Sequence, residues 1–186
     1  MKIGAITVGQ SPRTDVTEDI MDIFNGKAEV LEKGGLDGLT SEQIEKFSPK
    51  EGDYVLVSRL NDGTSVTFGE RHVIPRIQHA IEELEEQGAA FIMMFCTGKF
   101  PDTLKAKVPL IYPCEILDRT VPLLTAASSI LVVTPSPLQI AQSKKKWSGI
   151  VKKVKVVSGS PYGVQNAVQS MAWRSAIIFF WISKSL

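Results

Sequence analysis

Lys2-Ile3-Gly4-Ala5-Ile6-Thr7-Val8-Gly9-Gln10-Ser11-Pro12-Arg13-Thr14-Asp15 opens the chain as an apolar, partly β-branched run that stops at a glycine and passes into a polar loop. Such a run reads as a buried strand. Asp15 and Glu18 have capping-box spacing, and Val16, Ile20, Ile23 and Phe24 share one helical face. Asn25-Gly26 stops that helix, and Ala28–Leu31 reads as the next strand.

The alternation continues outward from this segment. Thr40 and Gln43 predict a capping box, with Leu39 stapled onto Ile44, for a short helix that ends at Ser48-Pro49. Tyr54–Leu60 reads as a strand, Asn61-Asp62-Gly63 as a turn, and Val66–Phe68 as its hairpin partner. Val73, Ile74, Ile77, Ala80, Ile81 and Leu84 make the stripe of the longest helix, with Pro75 tolerated in its first turn and Gly88 beyond its end. Ala89–Phe95 is the most apolar strand and delivers Cys96-Thr97-Gly98 at its carboxyl end. Past a connector, Lys99–Pro109, the pattern gives a strand at Leu110–Tyr112 and a helix at Glu115–Ala126. A strand at Ile130–Thr134, a helix at Leu138–Trp147, a strand at Val154–Ser158, a turn at Gly159-Ser160-Pro161 and a helix beginning in Gly163–Ala172 follow. Strands alternating with helices imply an α/β fold with mostly parallel sheets and right-handed crossovers.

Composition narrows the function classes. The 186 residues suffice for one sizeable core or two small lobes. With 21 basic and 20 acidic residues the net charge is +1, which leaves no footprint for nucleic acid and no polybasic membrane anchor. Two cysteines, Cys96 and Cys114, make no disulfide framework, and two histidines give poor support for zinc. The first residues lack a signal-peptide pattern, and the apolar run Ala176–Ile182 is too short to span a bilayer. The expected setting is a reducing cytoplasm. No dinucleotide loop, Walker loop or metal cluster is present in the sequence, so no cofactor is expected.

In open α/β sheets ligands lie outside the carboxyl ends of the strands, which singles out the loops Gln10–Asp15, Arg59–Gly63 and Cys96–Gly98. The first loop reads two ways. Its helix N-terminus and Arg13 could hold a carboxylate or phosphate, or Ser11, Thr14 and Asp15 could simply cap the helix with Arg13 in water. Cys96 likewise is either a nucleophile or proton carrier at a strand end or a small buried hydrophobe. Asn61 could orient a ligand oxygen, while Asp62-Gly63 is better read as a turn with an exposed Arg59 beside it. Cys114, before Glu115, reads as a cap-region residue rather than a nucleophile. His72 and His79 read as solvated, as do Lys144–Lys146 and Lys152–Lys153.

These residues resemble one family. The opening Lys2–Asp15, the segment Arg59-Leu60-Asn61-Asp62-Gly63, the strand into Cys96-Thr97-Gly98, Tyr112-Pro113 with Ile116-Leu117, and Val132-Val133-Thr134-Pro135 leading to Gln139, Gln142 and Trp147 look like AroM proteins over about residues 1–172. That family is distantly similar to the aspartate/glutamate/hydantoin racemases. The resemblance implies two α/β lobes, here 1–105 and a partial 106–172, with a cleft between them. It implies a cofactor-independent proton transfer next to a carboxylate by one cysteine from each lobe. Cys96 then stands at the first-lobe catalytic position, and Gln10, Ser11, Arg13, Asn61, Thr97 and Gly98 bind the substrate, a small carboxylate.

The expected second cysteine, in an Asp-Cys-x-Gly-like segment, does not occur, and Trp173–Leu186 resembles nothing in the family. A truncated or frameshifted end is the expectation, with stereoinversion impaired. The partners expected are the small carboxylate ligand, with no nucleic acid and no membrane, and the assembly expected includes a homodimer. Two rival readings stand beside this one: a non-catalytic carboxylate- or anion-binding regulatory protein, and a one-cysteine decarboxylase or isomerase.

Overall fold

β1 (Lys2–Thr7) is the strand expected from the opening run, and all of its residues after Lys2 are buried. The computed structural model describes residues 1–125 and 129–159. The expectations for the turn at 159–161, for the helix at 163–172 and for the segment 173–186 therefore lie outside the described residues, apart from Gly159.

The chain divides into two compact units, with the boundary between Cys114 and Glu115. In the first, β1 is followed by α1 (Thr14–Phe24), β2 (Glu29–Gly34), α2 (Ser41–Glu45), β3 (Val55–Arg59) and β4 (Ser65–Gly69). A 3₁₀ turn at Glu70–His72, α3 (Ile74–Glu86), β5 (Ile92–Met94) and β6 (Leu110–Ile111) complete it. Strands β2-β1-β5-β6 form one sheet in that order, and every neighbouring pair is parallel. β3 and β4 form a separate antiparallel hairpin. The α/β reading with a parallel sheet flanked by helices is the observed fold class.

Helix α3 covers β1. Its stripe Ile77, Ala80, Ile81 and Leu84 is buried, and Gly4 of β1 gives it room. A Cβ at Gly4 would lie 2.8 Å from Ile92 Cγ1 and 3.1 Å from Leu84 Cδ1. These residues join Ile6, Val8, Leu36, Leu56, Phe68, Val73, Ile92 and Met94 in the core of the unit.

Two local expectations are corrected. Asp15 does not cap α1: the helix begins at Thr14, its N-cap is Arg13, and no side chain caps it. The Asp15 carboxylate instead takes the Arg13 guanidinium through two hydrogen bonds, at 2.7 and 2.8 Å, and a two-point ion pair outweighs a single neutral cap bond. The apolar face of α1 is also shorter than its periodicity suggests, because Val16 is buried while Ile23 is 77% exposed. The capping box at α2 forms as expected, with Thr40 and Gln43 bonded reciprocally.

The second unit carries most of α4 (Pro113–Thr125), then β7 (Ser129–Thr134), a 3₁₀ turn at Pro137–Gln139, α5 (Ile140–Ser148) and β8 (Lys153–Ser158). β7 and β8 are parallel with α5 between them in sequence. Val121, Ile130, Leu131 and Trp147 are its buried apolar residues among those described. Lys146 is not solvated as expected: its Nζ lies 2.8 Å from Asp118 and 5.1 Å from the Trp147 ring. No helix among the described residues is long and apolar enough to cross a membrane.

Candidate functional site at the β1–β5 switch point

The strand order makes a crevice. From β1 the chain crosses to β2 on one side, and later returns to place β5 on the other. Loops leaving β1 and β5 therefore diverge at the carboxyl rim, which is where open α/β sheets take ligands. Ile6 and Met94 are paired in register, so the Gln10–Arg13 loop and Cys96 leave neighbouring strands at the same rim. Phe95 N–H still donates to the Ile6 carbonyl at 2.7 Å, which anchors the backbone immediately before Cys96.

The hairpin closes one flank of this rim. Asn61 N–H donates to Gln10 Oε1, and Asn61 Nδ2 donates to the Ser11 carbonyl, both at 3.0 Å. Gly9 makes the approach possible, because a Cβ there would lie 2.1 Å from Ser58 Oγ and 3.0 Å from the Arg59 carbonyl. The turn itself is as expected, with Gly63 at φ 88°, but Arg59 is half-buried rather than exposed, because its Nε–H folds back to donate to the Gly63 carbonyl. Gln10, Ser11 and Asn61 are thus brought together.

Much of the opening loop's donor capacity is met from within the protein. Ser11 N–H and Oγ–H both donate to Asp37, at 2.7 and 2.6 Å, and Asp37 also accepts the Gly34 N–H at 2.6 Å. Arg13 N–H donates to Glu32 Oε2 at 2.7 Å. The Arg13 guanidinium holds Asp15 below the usual carboxylate range despite partial burial, and Arg59 adds to the effect. Arg76 of α3 donates to the Gly35 and Asp37 carbonyls and so fixes the Asp37 turn from behind. Sequence reading missed Glu32, Asp37 and Arg76. Only chain folding brings Glu32 to Arg13 and Asp37 to Ser11, 19 and 26 residues away, and Arg76 to Asp37, 39 residues away.

Cys96 is half-buried, and its Sγ accepts the Gly98 N–H at 3.3 Å. Thr97 is exposed. Gly98 is enclosed: a Cβ there would lie 3.3 Å from both Cys96 Sγ and Leu56 Cδ2, and 3.6 Å from Tyr54 Cε1. Tyr54 Oη accepts the Lys99 N–H at 3.2 Å. Burial raises the Tyr54 hydroxyl above its ordinary range, against the Lys99 bond, and negative charge on Cys96, Glu70 or Cys114 pushes the same way. Glu70 N–H donates to the Tyr54 carbonyl at 2.9 Å. Glu70 Oε1 is buried with no hydrogen-bond partner among the described residues, and burial pushes this carboxyl up to about 7. Read only as a strand residue, Tyr54 gave no sign of its place beside Cys96.

The remaining candidates fall where structural roles were expected or are corrected. Cys114 is 3% exposed. His79 is exposed beside Glu82 and Glu83. His72 is not fully solvated: its ring stacks on Phe47 at 4.7 Å. Among the described residues, no three His, Cys, Asp or Glu side chains converge to hold a metal ion.

A family model described as AroM protein matches residues 3–177 of the chain. Comparison with curated proteins and with solved structures gives no match.

Proposed function

Because the chain belongs to the AroM family, we propose that it binds a small carboxylate at the β1–β5 rim and moves a proton at the carbon beside the carboxyl group through Cys96. This is the chemistry of cofactor-independent racemases and isomerases. The observation that carries it is a half-exposed thiol, immediately past a central parallel strand at the switch point, with a backbone N–H directed at its sulfur. Gln10, Ser11, Arg13, Asn61, Thr97 and Gly98 line the rim in this reading. Asp37, Glu32 and Asp15 hold the loop in shape. The setting proposed is the cytoplasm, where the thiol stays reduced.

Stereoinversion needs an acid and a base on opposite faces of the carbon. Of the two cysteines, Cys114 is buried at the start of α4. A single thiol removes and returns the proton on one face, so the expected activity is exchange with retained configuration. The same observation favours a second reading, in which the rim binds a carboxylate without chemistry.

Incubation in deuterium oxide with L- and D-aspartate, L- and D-glutamate and related acids separates the two. Deuterium at the α-carbon, lost about 100-fold or more in Cys96→Ser, supports proton transfer. Protection of Cys96 from iodoacetamide without exchange supports binding alone. An inert, unprotected Cys96 with no exchange removes both readings.

A further inference from the structure

Tyr54 enters the Cys96 loop from the start of β3, and its ring and the Cys96 sulfur lie against the same face of Gly98. Its hydroxyl oxygen accepts the Lys99 N–H. A phenol oxygen that accepts from a backbone N–H directs its own proton elsewhere. Among the described residues that proton meets no acceptor. A half-buried O–H with an unmatched proton, beside a thiol and at the carboxyl rim of the sheet, fits an oxygen supplied from outside the chain.

We propose that Tyr54 is a further residue of the Cys96 site, its hydroxyl donating a hydrogen bond to a carboxyl or carbonyl oxygen of the bound small molecule. This rests on the small-carboxylate reading above and adds the group that holds the carboxyl end. When the thiolate takes the α-proton, the C–H bond breaks and an S–H bond forms. The electron pair moves into the carboxyl group as an enediolate. Tyr54 keeps its proton throughout, and its hydrogen bond strengthens as charge grows on the oxygen. Burial favours the neutral phenol, the form that can donate.

The test is alkylation of Cys96 by iodoacetamide in the full chain near neutral pH, with increasing acetate, malonate, succinate, L-aspartate or D-aspartate. Tyr54→Phe is compared with the unmodified protein. Phenylalanine keeps the ring beside Gly98 and removes only the hydroxyl. For whichever acid protects the thiol, the half-protecting concentration rises about tenfold in Tyr54→Phe, as loss of one hydrogen bond to a charged group requires. The labelling rate without acid changes by less than about twofold, since the substitution leaves the Gly98 N–H on the sulfur in place. Equal protection of both proteins overturns the role of Tyr54 and leaves the carboxylate reading standing. Absence of protection by every acid in the unmodified protein overturns both. Should Tyr54→Phe unfold, the Cζ resonances of the ¹³C-labelled tyrosines, three in the sequence, decide the matter. One signal shifts on adding the protecting acid if Tyr54 binds it, and three unmoved signals refute the role.

Discussion

Asp37 holds three donors at one carboxylate: Ser11 N–H, Ser11 Oγ–H and Gly34 N–H. Hydrogen bonds to a charged group are worth about 1.5–3 kcal/mol each, and orphaned donors add to the cost of losing one. Asp37→Ala is expected to lower stability by about 3 kcal/mol in urea unfolding and to slow the protection of Cys96 by carboxylates. A loss within about 0.5 kcal/mol would show that the loop does not depend on it. Glu70 gives the opposite kind of signal. Its carboxyl sits at about 7 in the folded state against the ordinary 4.5. Between those values the folded chain holds a proton that the unfolded chain has released, so stability falls as pH rises through that window. Glu70→Gln removes this dependence. The variant should exceed the parent by about 1 kcal/mol above neutrality, a value reduced for solvent screening, and the gap should close near pH 4.5. Parallel stability curves for the two proteins across that range would refute the assignment.

At the scale of single elements, β2 ends where three segments of the chain meet. A Cβ at Gly34 would lie 2.5 Å from Asp37 Oδ1, 2.5 Å from the Gly9 carbonyl oxygen and 2.7 Å from Ser11 N. Two of these are backbone atoms that cannot swing aside. Gly34→Ala is therefore expected to cost about 3 kcal/mol and to loosen the opening loop, seen as faster amide exchange at Ser11 and Arg13. Thr40 tests a smaller device. Its Oγ1 accepts the Gln43 N–H at 3.3 Å while Gln43 Oε1 accepts the Thr40 N–H at 2.8 Å. Thr40→Ala should cost about 1 kcal/mol without touching Cys96 reactivity.

For the whole molecule, the two units differ in how much apolar packing supports them. The first surrounds β1 and β5 with a large buried cluster. The second, among the described residues, buries Val121, Ile130, Leu131 and Trp147. Local opening free energy follows buried contact, so amides of β7 and β8 should exchange faster than those of β1 and β5 in native-state hydrogen exchange. Equal protection of the two sheets would mean that β7 and β8 draw support from beyond those four side chains.

Periodicity determined the elements. The strand of Lys2–Thr7, the α2 capping box, the Gly63 turn and the α3 stripe all follow from patterns within a few residues, because backbone hydrogen bonding and side-chain spacing are local. The loops singled out at Gln10, Asn61 and Cys96 were also legible, since strand ends can be read once strands are. Partnership was not legible. The Asp15 carboxylate looked like a cap and became an ion pair, Lys146 looked solvated and faces Asp118, and Ile23 looked buried and stands in water. Asp37 under Ser11, Glu32 on Arg13 and Tyr54 beside Cys96 come from distant parts of the chain. Which strand becomes the neighbour of β1, and hence which side chains share its rim, depends on packing α3 over Gly4 and burying one common core. That choice is made only when the whole unit closes.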